Sequence, residues 1–369
     1  MSMRILILWD VYPRYPAYFY ARHPGLADQS YDQQLSAILN DFFYWPPYLI
    51  PEFRALGHEA EIVYGNIGPL QQAWAREHHI EVGPENGQFE IVLEQIKRFR
   101  PDVLWFGGAD YYLGDFLHQV KPYCRRIVAW KAVGFSSALN WQDVDCVLSS
   151  HLVFIEQFRR MGVWSERILP CFEPRILEHL QPASRGIPAS FIGTLSPIHF
   201  AQRMKFLNDL RGRVPLDIYA EKPIWRRRPW PPRMFLNQAR FIPFLIRGRL
   251  RPAVYGLDMF QVLAASKIAL NVHIDSANGQ AGNIRMFEAT GAGALLVTDA
   301  AANLSELFEP EREVVTYRSS EEAVEKIHYY LAHPDERQAI AAAAQRRTLR
   351  DYNATRRAQD VLAVFMKLL

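Results

Sequence analysis

Between Leu270 and Asp299 the chain reads LNVHIDSANGQAGNIRMFEATGAGALLVTD, and that succession leaves few folds open. A short apolar run, Ile268 to Val272, ends in the polar His273 and Asp275 and passes into a loop of Ser, Asn and Gly. An amphipathic segment, Asn283 to Thr290, follows with one arginine and one glutamate. Gly291-Ala292-Gly293 then breaks it ahead of the apolar run Ala294 to Val297. Strand, small-residue loop, helix, glycine stop and strand make a βαβ unit whose loop sits at a strand's carboxyl end. Strands joined in this way run parallel and need helices on both faces. The amides that open such a helix favour anions, so the unit predicts a phosphate near Gly282 and Asn283.

The same alternation extends along the rest of the chain. Expected strands in the N-terminal half are Ile5–Trp9, Ala60–Tyr64, Val103–Phe106, Ile127–Trp130, Val147–Ser149 and Ile168–Cys171. Helical patterns separate them at Gln33–Leu56, Phe89–Phe99 and Leu152–Met161. The strand runs are apolar on both parities, as strands covered on both faces should be. A polar stretch with two prolines, from Leu177 to Pro188, reads as an interdomain linker. A second series follows: Phe191–Gly193, helix Ile198–Leu210, Leu216–Tyr219, helix Leu257–Ala265, the βαβ unit and Val314–Tyr317. Ser319 with Glu322 forms a capping-box pattern, and Pro334 suits the first turn of a further helix. The expected domains are 1–180 and 187–350, with a helix over 351–369 beyond the second sheet.

Composition agrees with this reading and narrows it. A chain of 369 residues is comfortable for two domains, and 49% hydrophobic with 22% charged residues describes a folded protein. Cys124, Cys146 and Cys171 lack metal-type spacing and read as reduced thiols. The apolar run before Asp10 is too short for a secretory signal, and no segment is long enough to span a bilayer. A cytoplasmic protein is the expectation, with the inner face of the cell membrane as an alternative site.

Asn283, Arg285, Phe287, Glu288, Gly291, Gly293, Thr298 and Asp299 spell an N-x-R-x-F-E-A-x-G-x-G segment leading into an apolar strand that ends T-D. In these residues the chain resembles the GT-B glycosyltransferases, specifically the spore-maturation-protein (CgeB-like) branch related to the family-4 enzymes. The likeness runs from about Ser190 to Arg347 and is weaker across the N-terminal half. It implies an α/β GT-B fold: two doubly wound Rossmann-like domains facing across a cleft, with the C-terminal helix crossing back to the N-terminal domain. It also implies a UDP-, GDP- or dTDP-linked sugar donor, a sugar or glycan acceptor, and no metal or other cofactor.

The resemblance distributes roles among the residues. Glu288 stands where such enzymes bind the nucleotide ribose, a task that suits two acceptor oxygens facing adjacent hydroxyls. Arg285, on the same helix face, either neutralises a pyrophosphate or pairs with Glu288. Arg203 is a second phosphate candidate, and Gly193 and Thr194 would let backbone approach the donor. Asp10 and Asp110, at strand ends, are candidate general bases if the enzyme inverts; His273 and Asp275 are the corresponding candidates in the donor domain. Family-4 enzymes often carry a second glutamate where this chain has Gln280, so the stereochemical outcome stays open.

Two other motifs are set aside. Asp143-Val144-Asp145 matches a metal-binding D-x-D but directly precedes a buried-looking strand. Gly291-Ala292-Gly293 follows a helix and precedes a strand, the reverse of a dinucleotide fingerprint. Competing functions are a GT-B-fold nucleotide-sugar epimerase and a catalytically silent nucleotide-sugar-binding protein.

Charge is unevenly placed. The net charge is +3, yet nine basic residues and no acidic one lie between Lys222 and Arg251, so the remainder is net acidic. Trp225, Trp230, Phe235, Phe241 and Phe244 are interleaved with those arginines. Such an insertion (222–252) suits an anionic membrane interface, a cap packed on the sheet, or an anionic-acceptor site. Nucleic-acid binding is not expected, because no recognition module accompanies the charge.

Overall fold

A computed structural model describes residues 2–81, 83, 87–108, 110–181, 185–195, 200–221 and 250–369. The chain forms two compact units: Met1–Leu169 with Ala354–Leu369, and Pro170–Asn353.

The first unit is built on a six-stranded parallel sheet. Its strands are β1 (Arg4–Trp9), β2 (Glu59–Tyr64), β3 (Val103–Gly107), β4 (Arg126–Trp130), β5 (Cys146–Ser149) and β6 (Ser165–Arg167), in the order β2-β1-β3-β4-β5-β6. The apolar run of β3 is buried at every position, whereas edge strand β2 still alternates over its first residues. Helices on both faces account for that difference. The helix Ala354–Leu368 joins this unit: Phe365 packs on Phe53 and Trp105, and Arg126 Nε donates to the Leu368 carbonyl at 2.7 Å.

The second unit has its own parallel sheet. Its strands are β7 (Ile187–Ile192), β8 (Leu216–Tyr219), β9 (Leu250–Arg251), β10 (Ser266–Asn271), β11 (Leu295–Asp299) and β12 (Val315–Tyr317), in the order β12-β11-β10-β7-β8-β9. The βαβ unit read from the sequence is β10, the helix Ile284–Gly291 and β11, with Ile268 opposite Leu295. Ser319 caps the helix Ser320–Ala332 by accepting from the Glu322 amide, and Pro334 opens the helix Pro334–Asp351.

Three expectations are corrected. Gln33–Leu56 is not one helix: Tyr31–Asn40 and Leu49–Ala55 are separated by an aromatic loop, because Pro46 and Pro47 cannot continue a helix interior. The strand expected at Ile168–Cys171 is β6, three residues earlier, and Pro170 lacks the amide that a ladder needs. The end of the basic insertion returns to the sheet as edge strand β9, pairing Ile218 with Leu250; residues 222–249 lie outside the described residues.

Candidate functional site

In the first sheet, β1 lies between β2 and β3, so the connections leaving it diverge to opposite sides. Ligands of doubly wound sheets collect at such a switch point, outside the carboxyl ends of the strands. A pocket of about 460 Å³ sits there, lined by the ends of β1 (Trp9, Asp10), β3 (Gly107, Gly108) and β4 (Trp130, Lys131). Asp10 is 7% exposed, and its Oδ1 accepts a 2.8 Å hydrogen bond from the Tyr112 hydroxyl. Burial pushes its carboxyl from 3.8 up to about 6, and the Tyr112 hydrogen bond offsets only part of that rise. A base with a pKa near the working pH suits proton abstraction. Asp110 lines the same pocket with its charge paired to Lys131. That pairing leaves Asp10, not Asp110, as the carboxylate without a cationic partner among the described residues of the pocket.

Close backbone approach permits this arrangement. A Cβ on Gly65 would stand 1.9 Å from the Tyr112 hydroxyl and 2.8 Å from Asp10 Oδ1. Gly65→Ala is therefore expected to displace Tyr112 and raise the Asp10 pKa above about 6. NMR titration of Asp10 in the variant checks this; an unchanged midpoint would show that the hydrogen bond contributes nothing.

Another pocket wall comes from the aromatic loop that interrupts the expected helix. Phe43 and Tyr44 line the pocket, and Trp9 and Tyr44 lie with ring centroids 5.4 Å apart. Phe42 and Tyr44 hold left-handed backbones, φ 53° and 72°. Bulky residues rarely adopt that conformation, and such strain persists where surrounding contacts over-determine it, often at functional sites. Here the Tyr48 hydroxyl donates to the Phe42 carbonyl at 2.5 Å, and Trp45 packs edge-on against Trp130 at 5.1 Å.

In the second sheet the switch point lies between β7 and β10. Gly193 and Thr194 follow β7, and His273 follows β10. Arg203 ties these two ends together: Nη1 donates to the Thr194 carbonyl at 3.2 Å and Nη2 to the Val272 carbonyl at 2.7 Å. Two of its donors therefore serve backbone. His273 is buried, with Nδ1 2.7 Å from Asp299 Oδ1 and Nε2 3.3 Å from Met286 Sδ. Burial alone would raise the Asp299 carboxyl, but hydrogen bonds and charge from His273 hold it below its usual value. His273 is thus engaged at both ring nitrogens, and Asp275 accepts from the Gln202 amide at 3.2 Å.

The helix Ile284–Gly291 begins at this place. Gly282 has φ 143°, open to glycine, and directs the chain into it. Asn283 occupies the N-cap position without capping; its side-chain amide instead donates to Asn271 Oδ1 at 2.7 Å. The first turn of the helix is consequently left without a side-chain acceptor, a favourable setting for an anion. In that first turn, Arg285 Nη1 lies 2.7 Å from Glu288 Oε2, one turn further along, and donates a hydrogen bond to Met259 Sδ, 2.8 Å away. Glu288 Oε2 consequently accepts no aligned hydrogen bond, although it is an ion-pair neighbour. Burial pushes the Glu288 carboxyl up, opposed by Arg285.

Asp10 and Asp110 thus share one pocket, while Thr194, Arg203, His273 and Asn283 gather around the second switch point; the contacts of Arg285 run to Glu288 and Met259 instead. Tyr112, Lys131, Asn66 and the aromatic walls went unread in the sequence; only the Trp45-Pro46-Pro47 interruption signalled the loop. The D-x-D acids act as strand-edge residues: Asp143 pairs with Lys121 at 2.8 Å, and Asp145 accepts from the Ile127 amide at 2.7 Å.

Residues 203–363 match a family model described as glycosyl transferase-like. The fold is that of solved GT-B structures. HepE from Anabaena, solved with UDP and glucose, superposes with a TM-score of 0.60 at 14% identity, covering 99% of this chain and 100% of that one. A sucrose-phosphate synthase from Thermosynechococcus elongatus gives 0.53 at 12% identity, with 99% of each chain covered. AviGT4, a glycosyltransferase of avilamycin A biosynthesis, gives 0.55 at 14% identity, covering 98% of this chain and 97% of that one. No curated protein matches the sequence.

Proposed function

We infer that the chain is a glycosyltransferase that takes its sugar from a nucleotide-sugar donor and passes it to an acceptor hydroxyl. The observation that carries this reading is the convergence of Gly193, Thr194, Arg203 and the uncapped start of the helix Ile284–Gly291 on the switch point of the second sheet. That helix start would take the diphosphate, and Glu288 the ribose hydroxyls. HepE was solved with UDP, and UDP is accordingly the first nucleotide to test.

The acceptor side is assigned to the first unit. Its hydroxyl would give a proton to Asp10 as the oxygen attacks the anomeric carbon; the bond to phosphate breaks and the nucleoside diphosphate departs with the electron pair. Basic side chains and helix amides would stabilise that leaving group in place of a metal. His273, engaged at both ring nitrogens, is assigned to holding the donor loop through Asp299. A place in the CgeB-like branch rests on the N-x-R-x-F-E-A-x-G-x-G segment and belongs to this proposal.

A thermal-shift panel of UDP, GDP and dTDP tests the donor assignment. One nucleotide at 100 times its Kd should stabilise the chain by about 2.7 kcal/mol. No shift with any of the three would remove the donor reading.

Among the described residues no helix is long and apolar enough to cross a membrane. Peripheral docking through residues 222–252 rests on their arginines and aromatics. Flotation with anionic but not neutral vesicles is the expected result; equal recovery with both would end that proposal.

A further inference from the structure

Several polar side chains of the first unit's pocket are already engaged, while the indole Nε1 of Trp141 is buried without a partner. Asn66 uses both ends of its amide on Val11, accepting from the backbone N–H at 2.9 Å and donating to the carbonyl at 2.7 Å. Lys131 and Asp110 are paired. Asp10 Oδ1 is taken by Tyr112, which leaves Oδ2 as the carboxylate oxygen with no hydrogen bond among the described residues. Against this stand the rings of Trp9, Tyr44, Trp130 and Trp141, with Tyr12 and Tyr111 at the rim, each 50% exposed.

A buried sugar would need a partner for each of several hydroxyls, and every one left unmade costs about 1–3 kcal/mol. Here most of the wall around Asp10 is aromatic ring, with its polar atoms at ring edges. A flat, apolar ring carrying a single hydroxyl meets it better: the ring faces aromatic walls, and the hydroxyl meets Asp10 Oδ2.

We propose that the acceptor is a hydroxyaromatic compound, bound by the aromatic walls with its hydroxyl on Asp10 Oδ2. This rests on the transferase reading and narrows its acceptor, replacing the sugar or glycan expected from the sequence. The chemistry is consistent: the phenolic proton passes to Asp10, the phenolic oxygen bonds to the anomeric carbon, and the nucleoside diphosphate leaves with the electrons of the broken bond. A phenol, with a pKa of about 10, yields its proton to a carboxylate far more readily than a sugar hydroxyl does.

The test uses the full chain and 2-naphthol as probe, followed by saturation-transfer NMR and by quenching of tryptophan fluorescence, since three tryptophans line the pocket. Glucose and maltose are the sugar probes. The expected result is saturable 2-naphthol binding, weakened about tenfold in a Tyr12→Ala/Tyr111→Ala variant, with no detectable binding of either sugar. Those two side chains are half exposed, so their truncation should leave the fold intact, which an unchanged nucleotide thermal shift verifies. Sugar binding tighter than that of 2-naphthol overturns the proposal, as does 2-naphthol binding indifferent to the double substitution. Nucleotide binding without 2-naphthol binding overturns this proposal and leaves the transferase reading standing. Absence of any nucleotide response overturns the transferase reading itself.

Discussion

Asp10→Asn is expected to slow transfer by about 10²–10⁴-fold while leaving nucleotide affinity unchanged. Asparagine keeps the shape and can still accept from Tyr112, so the loss would report the missing base. In the unsubstituted enzyme the rate should rise with pH through about 6, as the carboxyl ionises, and the variant should lack that rise. The same substitution carries a second signature. Because the folded-state value, about 6, lies above the ordinary 3.8, the folded chain holds the proton more tightly. The stability that this contributes is fully present below about pH 4 and is lost as pH rises through about 6. Well above pH 6 the variant, free of a buried charge, should be more stable than the parent by on the order of 3 kcal/mol. Equal activity in parent and variant would remove Asp10 from the chemistry.

Glu288→Ala is expected to weaken nucleotide binding by about 100-fold or more. A carboxylate that accepts from two ribose hydroxyls makes two charge-assisted hydrogen bonds, each contributing about 1.5–3 kcal/mol. Calorimetric titration with the nucleotide selected by thermal shift measures the loss. Arg285 would be left largely buried without its ion-pair neighbour, so some destabilisation accompanies the change. Circular dichroism separates the two effects: a folded variant that binds nucleotide as tightly as the parent takes Glu288 out of the donor site.

These residues show what a linear reading can reach. Glu288, Asn283 and Gly282 were legible because one short helix and its loop hold them together, and local spacing survives folding. Asp10 was legible because an apolar run ending in a carboxylate marks the end of a parallel strand. Tyr112 was not, for it reaches Asp10 across 102 positions of sequence, through a pairing of β1 with β3 that no local pattern encodes. The charge of Arg203 points to phosphate, but the two backbone carbonyls that it ties together at the switch point have no signal in the sequence. The aromatic loop hides in the sequence because apolar residues continue from Ile38 through Phe53, and only the adjacent Pro46 and Pro47 mark the break.

The chain order of the first unit has a consequence for biosynthesis. Residues 170–353 are inserted into it, and the helix that packs on Phe53 and Trp105 is made after them. While the chain is on the ribosome, the second unit can finish folding before the first one can. Until residues 354–368 emerge, the apolar groove that receives Phe365 waits uncovered. For that interval the nascent protein presents a surface of the kind that chaperones bind, and a stop codon before residue 354 would make the exposure permanent.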